Sequence, residues 1–230
     1  MTQYLVLTLS ASIGAMGGLA GHERRGSYTW PGRSAITGLL GAALGLRRDA
    51  DFAALDALGM AVAPFEQRTD GGFRDYHTVE TVPSAQSKSP NSRPEALRTA
   101  GRNTNTTITL RDYRTGPLFG VAIWGEGLEV LRDALRAPVF TLYFGRKSCP
   151  LSAPVDAHLV EAANVEDALS QARVPVWRKG SVARQLITDA EDDDTHTEIR
   201  HDQAIDRGHW HFGARKVAFR PVEITPEVAQ

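Results

Sequence analysis

Residues 31–45, PGRSAITGLLGAALG, restrict the fold more than any other stretch of this chain. Ile36, Leu39, Leu40, Ala43 and Leu44 follow the i, i+3, i+4, i+7, i+8 spacing of a single helical stripe, so a helix here must face a core. Gly38, Gly41 and Gly45 fall on a neighbouring stripe, although an interior glycine costs a helix about 0.8–1 kcal/mol relative to alanine. Something must therefore come close to that side. Tight packing of the helix backbone against a sheet is the expected cause, ahead of approach by a ligand such as a nucleic-acid strand. Arg33 and Ser34 stand at the helix entry. Ser34 is a candidate cap for the first free amides, and Arg33 adds to the positive end of the helix dipole, a combination that favours an anion.

The rest of the composition decides which classes stay open. With a net charge of −1, the chain is not a uniformly basic nucleic-acid binder, but local basic patches balanced by acidic ones remain possible. Lysine occurs only at Lys88, Lys147, Lys179 and Lys216, so arginine carries most of the positive charge; its planar fork suits phosphate and base recognition. The single cysteine, Cys149, excludes an intrachain disulfide and a cysteine-cluster metal site, as expected of a cytoplasmic protein. No apolar run reaches the roughly 18 residues of a membrane span, so no membrane partner is expected.

Taken in order, residues 4–10 read as a buried opening strand, and 11–30 as a loop carrying His22, Arg24 and Arg25 into the helix. A short helix is expected over 51–58. Residues 59–67 and 72–82 read as two strands joined in a hairpin through Thr69-Asp70-Gly71-Gly72. The second carries Arg74, Asp75, Tyr76, His77 and Thr78, too polar for a core strand, so its exposed face is expected to act. Residues 83–105 have almost no apolar content and can form no core. They read as a linker or as a basic arm, through Lys88, Arg93, Arg98 and Arg102, that orders on a polyanion. Their place inside a domain favours the arm.

Strands are expected over 106–114, 118–124 and 139–144, with a helix marked by Leu128, Leu131 and Leu135 and ended by Pro138. The order strand, helix, strand, strand with an inserted arm, helix, strand is the split βαβ arrangement of a ferredoxin-like α+β fold. Further on, a helix near 164–173 and strands near 181–188 and 217–224 are expected, with an acidic turn at 191–194. His196, His201, His209 and His211 follow no known metal-ligand spacing, so neither a metal nor any other cofactor is expected.

After the strand at 139–144, Tyr143-Phe144-Gly145-Arg146-Lys147-Ser148-Cys149-Pro150 outlines an anion cradle, a glycine turn followed by three donors. Together with Pro31 to Ser34, Gly38 to Ala42, Leu44-Gly45, Arg74 to Val79 and Arg111-Asp112-Tyr113, this run resembles the CasD (Cas-five) family of type I-E CRISPR Cascade subunits, in the RAMP superfamily. Order and spacing agree over the first two thirds of the chain. Near Ala11 to Gly18 the chain departs from the family's usual Gly-Pro, Gln and Trp.

The resemblance implies a ferredoxin-like (RAMP/RRM-like) body over 1–147 with a β-hairpin thumb or arm inserted at about 83–105, and a small β-rich C-terminal subdomain over 148–230. It implies a ribonucleoprotein subunit of antiviral defence that grips the five-prime handle of the CRISPR guide RNA. Its partners would be the Cascade backbone subunit and large subunit, with target DNA met through the complex. Single-stranded RNA is held by phosphate contacts and by stacking of its bases. Arg33, Arg74, Arg111, Arg146 and Lys147 suit the first task, with Arg24, Arg25, Ser34, Gly145 and Ser148 beside them. Tyr76, His77, Tyr113 and Tyr143 suit the second.

No catalytic residue is expected. The alternative is a metal-independent endoribonuclease like the type I-C relatives, which use a tyrosine, lysine and histidine set. His22, Tyr28 or His77 could serve as its proton-transfer groups, but no lysine lies near them in sequence. A metal-dependent hydrolase using the tail histidines is the third and weakest reading.

Overall fold

The structure, a computed structural model, describes residues 1–18, 23–66, 71–83, 92–207, 209 and 211–229. The opening strand β1 (Thr2–Ser10) is buried on both faces from Tyr4 onward, as its continuous apolar run requires. Two short strands, β2 (Ile13–Gly14) and β3 (Arg24–Arg25), lead to α1 (Arg33–Leu44), followed by α2 (Ala53–Asp56) and β4 (Gly59–Glu66). Next come β5 (Gly71–Thr81), α3 (Arg93–Ala100), β6 (Asn105–Thr115), β7 (Leu118–Trp124) and α4 (Leu128–Arg136). The chain continues through β8 (His158–Ala162), α5 (Val165–Ser170) and β9 (Arg173–Val174), then β10 (Val182–Asp189), β11 (Thr197–Asp206), β12 (His211–Ile224) and β13 (Glu227–Val228).

One seven-stranded sheet runs β11-β12-β10-β4-β7-β1-β8, antiparallel at every step. Period-two alternation gives it two cores. Leu5, Leu7, Leu9, Val62, Val121 and Ile123 meet Ile36, Leu39 and Leu40 of α1 and Leu131 and Leu135 of α4 on one face. Val6, Ala61, Phe65, Ala122 and Leu186 meet Ala168 and Leu169 of α5 on the other. Among the described residues no helix is long and apolar enough to cross a membrane.

Four expectations change. Residues 139–144 form no strand: Tyr143 makes a single bridge to Pro150, and the edge of β1 is taken by β8 instead. The amides of Val139 and Phe140 donate to the carbonyls of Ala43 and Ala42, at 3.0 and 3.1 Å. The Ala43 carbonyl at the end of α1 thereby gains a partner, and that of Ala42, which also accepts the Gly45 amide at 3.2 Å, gains a second donor.

The hairpin is also not the one expected. β4 pairs with β7 and β10, while β5 pairs with β6 over its full length, from Gly71 opposite Thr115 to Thr81 opposite Asn105. β5 has no face that a core could use, since none of its residues is buried. The turn at 67–70 lies outside the described residues. Within the polar arm, residues 84–91, including Lys88, also lie outside them, but α3 is an ordered helix. The hydroxyl of Ser92 accepts from the Glu95 amide at 3.3 Å, and Ala96 and Ala100 are buried.

Finally, β10, β11 and β12 extend the main sheet rather than forming a small C-terminal sheet. Among the described C-terminal strands only β9 and β13 pair apart from it, in parallel.

Candidate nucleic-acid interface

A cleft of about 860 Å³ separates α1 from the irregular segment after α4; Ser34, Gly38, Tyr143, Gly145 and Lys147 line it, with Arg48, Arg207 and Phe212. The glycine stripe divides here. A Cβ on Gly41 would sit 2.5 Å from Cε1 of Phe52, and Gly45 ends α1 in the left-handed region, at φ 76°. Gly38 faces open space in the cleft. Packing thus explains Gly41, the left-handed cap explains Gly45, and Gly38 leaves the helix backbone accessible.

Across the cleft, Gly145 has φ 84°, and a Cβ there would lie 1.5 Å from the carbonyl oxygen of Ala15. No other residue fits that turn, which the Cys149 amide closes onto the Arg146 carbonyl at 2.8 Å. Lys147 and Ser148 are exposed at its tip. Tyr143 is 38% exposed beside it.

Ser34 is not the helix cap. That position is Gly32, and the Arg33 amide donates to Oδ2 of Asp202 at 2.7 Å. A Cβ on Gly32 would lie 2.6 Å from the same oxygen. The Arg33 guanidinium faces inward, to Asp189 Oδ2 at 3.4 Å and to the carbonyls of Asp56 and Leu58. The Arg215 guanidinium completes this network by pairing with Asp202 and Asp189. The phosphate role expected of Arg33 is therefore corrected: its donors build the junction of α1 with β10 and β11.

The second basic surface lies at the base of the β5–β6 hairpin. β3 joins β6 in parallel, Arg24 beside Leu110 and Arg25 beside Arg111. Asp112, opposite Arg74 in the ladder, accepts from Arg24 Nε at 3.0 Å and Nη2 at 2.8 Å through Oδ2, and from Arg74 Nε at 2.7 Å through Oδ1. These bonds, from Arg74 first and Arg24 second, lower the Asp112 carboxyl to about 2. Asp112 in turn raises the Arg74 pKa.

Arg146 reaches the other face of the same strands, where Tyr113 points. Its guanidinium lies 4.5 Å from the Tyr113 ring centre and within 3.5 Å of the carbonyls of Asp112 and Arg25. Arg25 is exposed, and Arg111 is half-buried with its Nε lacking a partner among the described residues.

The aromatic candidates separate by burial. Tyr113 is 6% exposed and stacks on Phe73, centroids 5.1 Å apart, so it supports the hairpin and is corrected as a base platform. Tyr76 is 68% exposed. His77 pairs with Asp75 through Nε2. Tyr28 lies 4.8 Å beneath the Arg200 guanidinium, and His22 lies outside the described residues. Among the described residues no three potential ligands gather for a metal, and His209 pairs with Asp206 at 2.8 Å.

Sequence reasoning missed Asp112, Phe73, Arg48 and Arg207. Asp112 could be found only with the β5–β6 register in hand, which sets it opposite Arg74.

A long hairpin with an arginine-rich base, beside an antiparallel sheet flanked by helices and an open cleft, defines an α+β protein with arginine-rich surface ground. Residues 4–218 match the family described as CRISPR-associated protein (Cas_Cas5), and the chain belongs to that family. It is 33% identical over 186 residues to CRISPR system Cascade subunit CasD of Escherichia coli (strain K12), covering 74% of this chain and 76% of that one. Among solved structures, a CRISPR RNA-guided surveillance complex gives a TM-score of 0.70 at 21% identity, covering 96% of this chain and 90% of the other, a likeness of fold. A structure titled Crystal structure of Cas protein gives 0.66 at 26%, covering 97% and 98%.

Proposed function

We propose that this chain is a non-catalytic RNA-binding subunit of a type I, I-E-like Cascade surveillance complex. It grips the five-prime handle of the CRISPR guide RNA, anchors the backbone and large subunits beside it, and meets target DNA only through the complex, in the cytoplasm. The observation that carries this reading is that consecutive residues join the two basic surfaces. Lys147 lines the α1 cleft, while Arg146 lies against Tyr113 at the hairpin base. A single-stranded RNA needs such a continuous surface: cations for phosphates, exposed aromatic faces for bases, and open backbone where the strand comes close. Lys147, the arginines around Asp112, Tyr76, Tyr143 and Gly38 offer each of these.

The body supports the same reading. In chain order β1, α1, β4, β7, α4 and β8 take the spatial order β4-β7-β1-β8, which fits a ferredoxin-like body of RAMP type, and its thumb would be the β5–β6 hairpin, whose strands flank the expected insertion at about 83–105. Purifying the chain from its native host and sequencing the RNA that accompanies it tests the proposal. Guide RNA enriched at its five-prime end is expected; RNA of random sequence, or none, contradicts it.

A further inference from the structure

The carboxylate of Asp112 stands between two cations, the guanidinium groups of Arg24 and Arg74. A patch that acted through net charge alone would be stronger without it, since one negative group offsets one positive group in attracting a polyanion. Its contribution to overall stability is small, because ion pairs open to solvent contribute little and the Arg24 and Arg74 side chains are 60% and 39% exposed. Its geometry gives it another task. Oδ2 takes Nε and Nη2 of Arg24, and Oδ1 takes only Nε of Arg74. Among the described residues, Nη1 of Arg24 and both terminal nitrogens of Arg74 make no hydrogen bond and are available to a ligand.

Two guanidinium groups brought together without a counter-charge repel each other and would swing apart. A shared carboxylate holds them as neighbours before any ligand arrives, so less side-chain freedom is lost when an anion binds. β3 supplies one arginine and β5 the other, and Asp112 on β6 lies between them.

We propose that Asp112 is a positioning residue for RNA binding: it holds Arg24 and Arg74 side by side so that their outward N–H groups grip one phosphate of a single-stranded RNA backbone. This rests on the RNA-binding reading above and adds to it a named phosphate site and the residue that organises it.

The test measures binding of the full-length chain to a fluorescein-labelled single-stranded RNA of the host's repeat sequence, over a series of salt concentrations. Asp112→Asn removes a negative charge and so makes the patch one unit more positive, but its amide can accept from one arginine only and turns an N–H donor toward the other. Despite the more positive patch, the affinity is expected to fall about tenfold, and the slope of log K against log salt to drop by about 0.7, the share of one phosphate that is no longer gripped. Tighter binding, or an unchanged slope, overturns the proposal, because either is what a simple surface charge would give.

Arg24→Lys keeps the charge and the ion pair but removes the fork, and it applies should Asp112→Asn fail to fold. It is expected to weaken binding with the same drop in slope, and wild-type behaviour overturns the proposal. Wild-type protein that binds while Asp112→Asn binds as well or better defeats this inference alone. Wild-type protein that does not bind the RNA defeats the RNA reading and this inference with it.

Discussion

At the level of single residues, similar sequence signals carry different physical causes. Gly38 and Gly41 sit on one stripe of α1, yet only Gly41 has a neighbour where its Cβ would be. Gly41→Ala is expected to destabilise the fold by about 1–3 kcal/mol through overpacking against Phe52. Gly38→Ala should be neutral or stabilising by up to about 1 kcal/mol, while narrowing the cleft and weakening RNA binding. Thermal melts of the two variants, read beside RNA titrations, check the contrast.

The tyrosines divide in the same way. Tyr113→Ala removes a buried ring stacked on Phe73 and should cost about 3 kcal/mol or more of stability. Tyr76→Ala should leave the melt within about 0.5 kcal/mol of wild type and cost about 1–3 kcal/mol of RNA binding. The sequence names all four aromatic or imidazole candidates but cannot rank them, since exposure depends on partners far along the chain. Arg33 shows the limit most clearly: the residues that occupy it and its amide, Asp189 and Asp202, lie more than 150 positions away.

At the level of elements, what periodicity specifies is legible and what pairing specifies is not. The helix at 31–45, the central strand at 118–124 and the Leu128-Leu131-Leu135 helix all form where their apolar spacing puts them. Residues 139–144 carry the composition of a strand, but the sheet edge that would receive them pairs with residues 158–162. The Gly71-Gly72 signal does mark the start of a strand, whose partner is β6 and not the preceding β4.

The docking of β3 on that hairpin has a pH signature. Asp112 titrates at about 2 in the fold against an ordinary 3.8. A lowered pKa means that its contribution is complete above 3.8 and is lost as pH falls through about 2. Amide NMR signals of Arg24, Arg25, Leu110 and Arg111 should therefore hold steady from neutral pH to about 4 and shift between about 4 and 2. Asp112→Asn should abolish that shift, whereas a wild-type midpoint near 4 would show that the carboxylate is not held by its two arginines.

At the level of the whole molecule, membership of the CRISPR-associated family and the closeness of the cleft to the hairpin base support the proposed role of holding RNA; that the chain leaves cutting to others is part of the proposal. General acid-base cleavage draws about 10²- to 10⁴-fold from a positioned proton-transfer group, and His77, paired with Asp75 on its own strand, is the group to watch. Incubation of the purified chain with precursor repeat RNA, with and without chelator, tests this most directly. The RNA is expected to be bound and recovered intact in both conditions. A defined product that forms despite the chelator would make the chain an endoribonuclease, a product that the chelator suppresses would make it a metal-dependent hydrolase, and either would contradict the central claim.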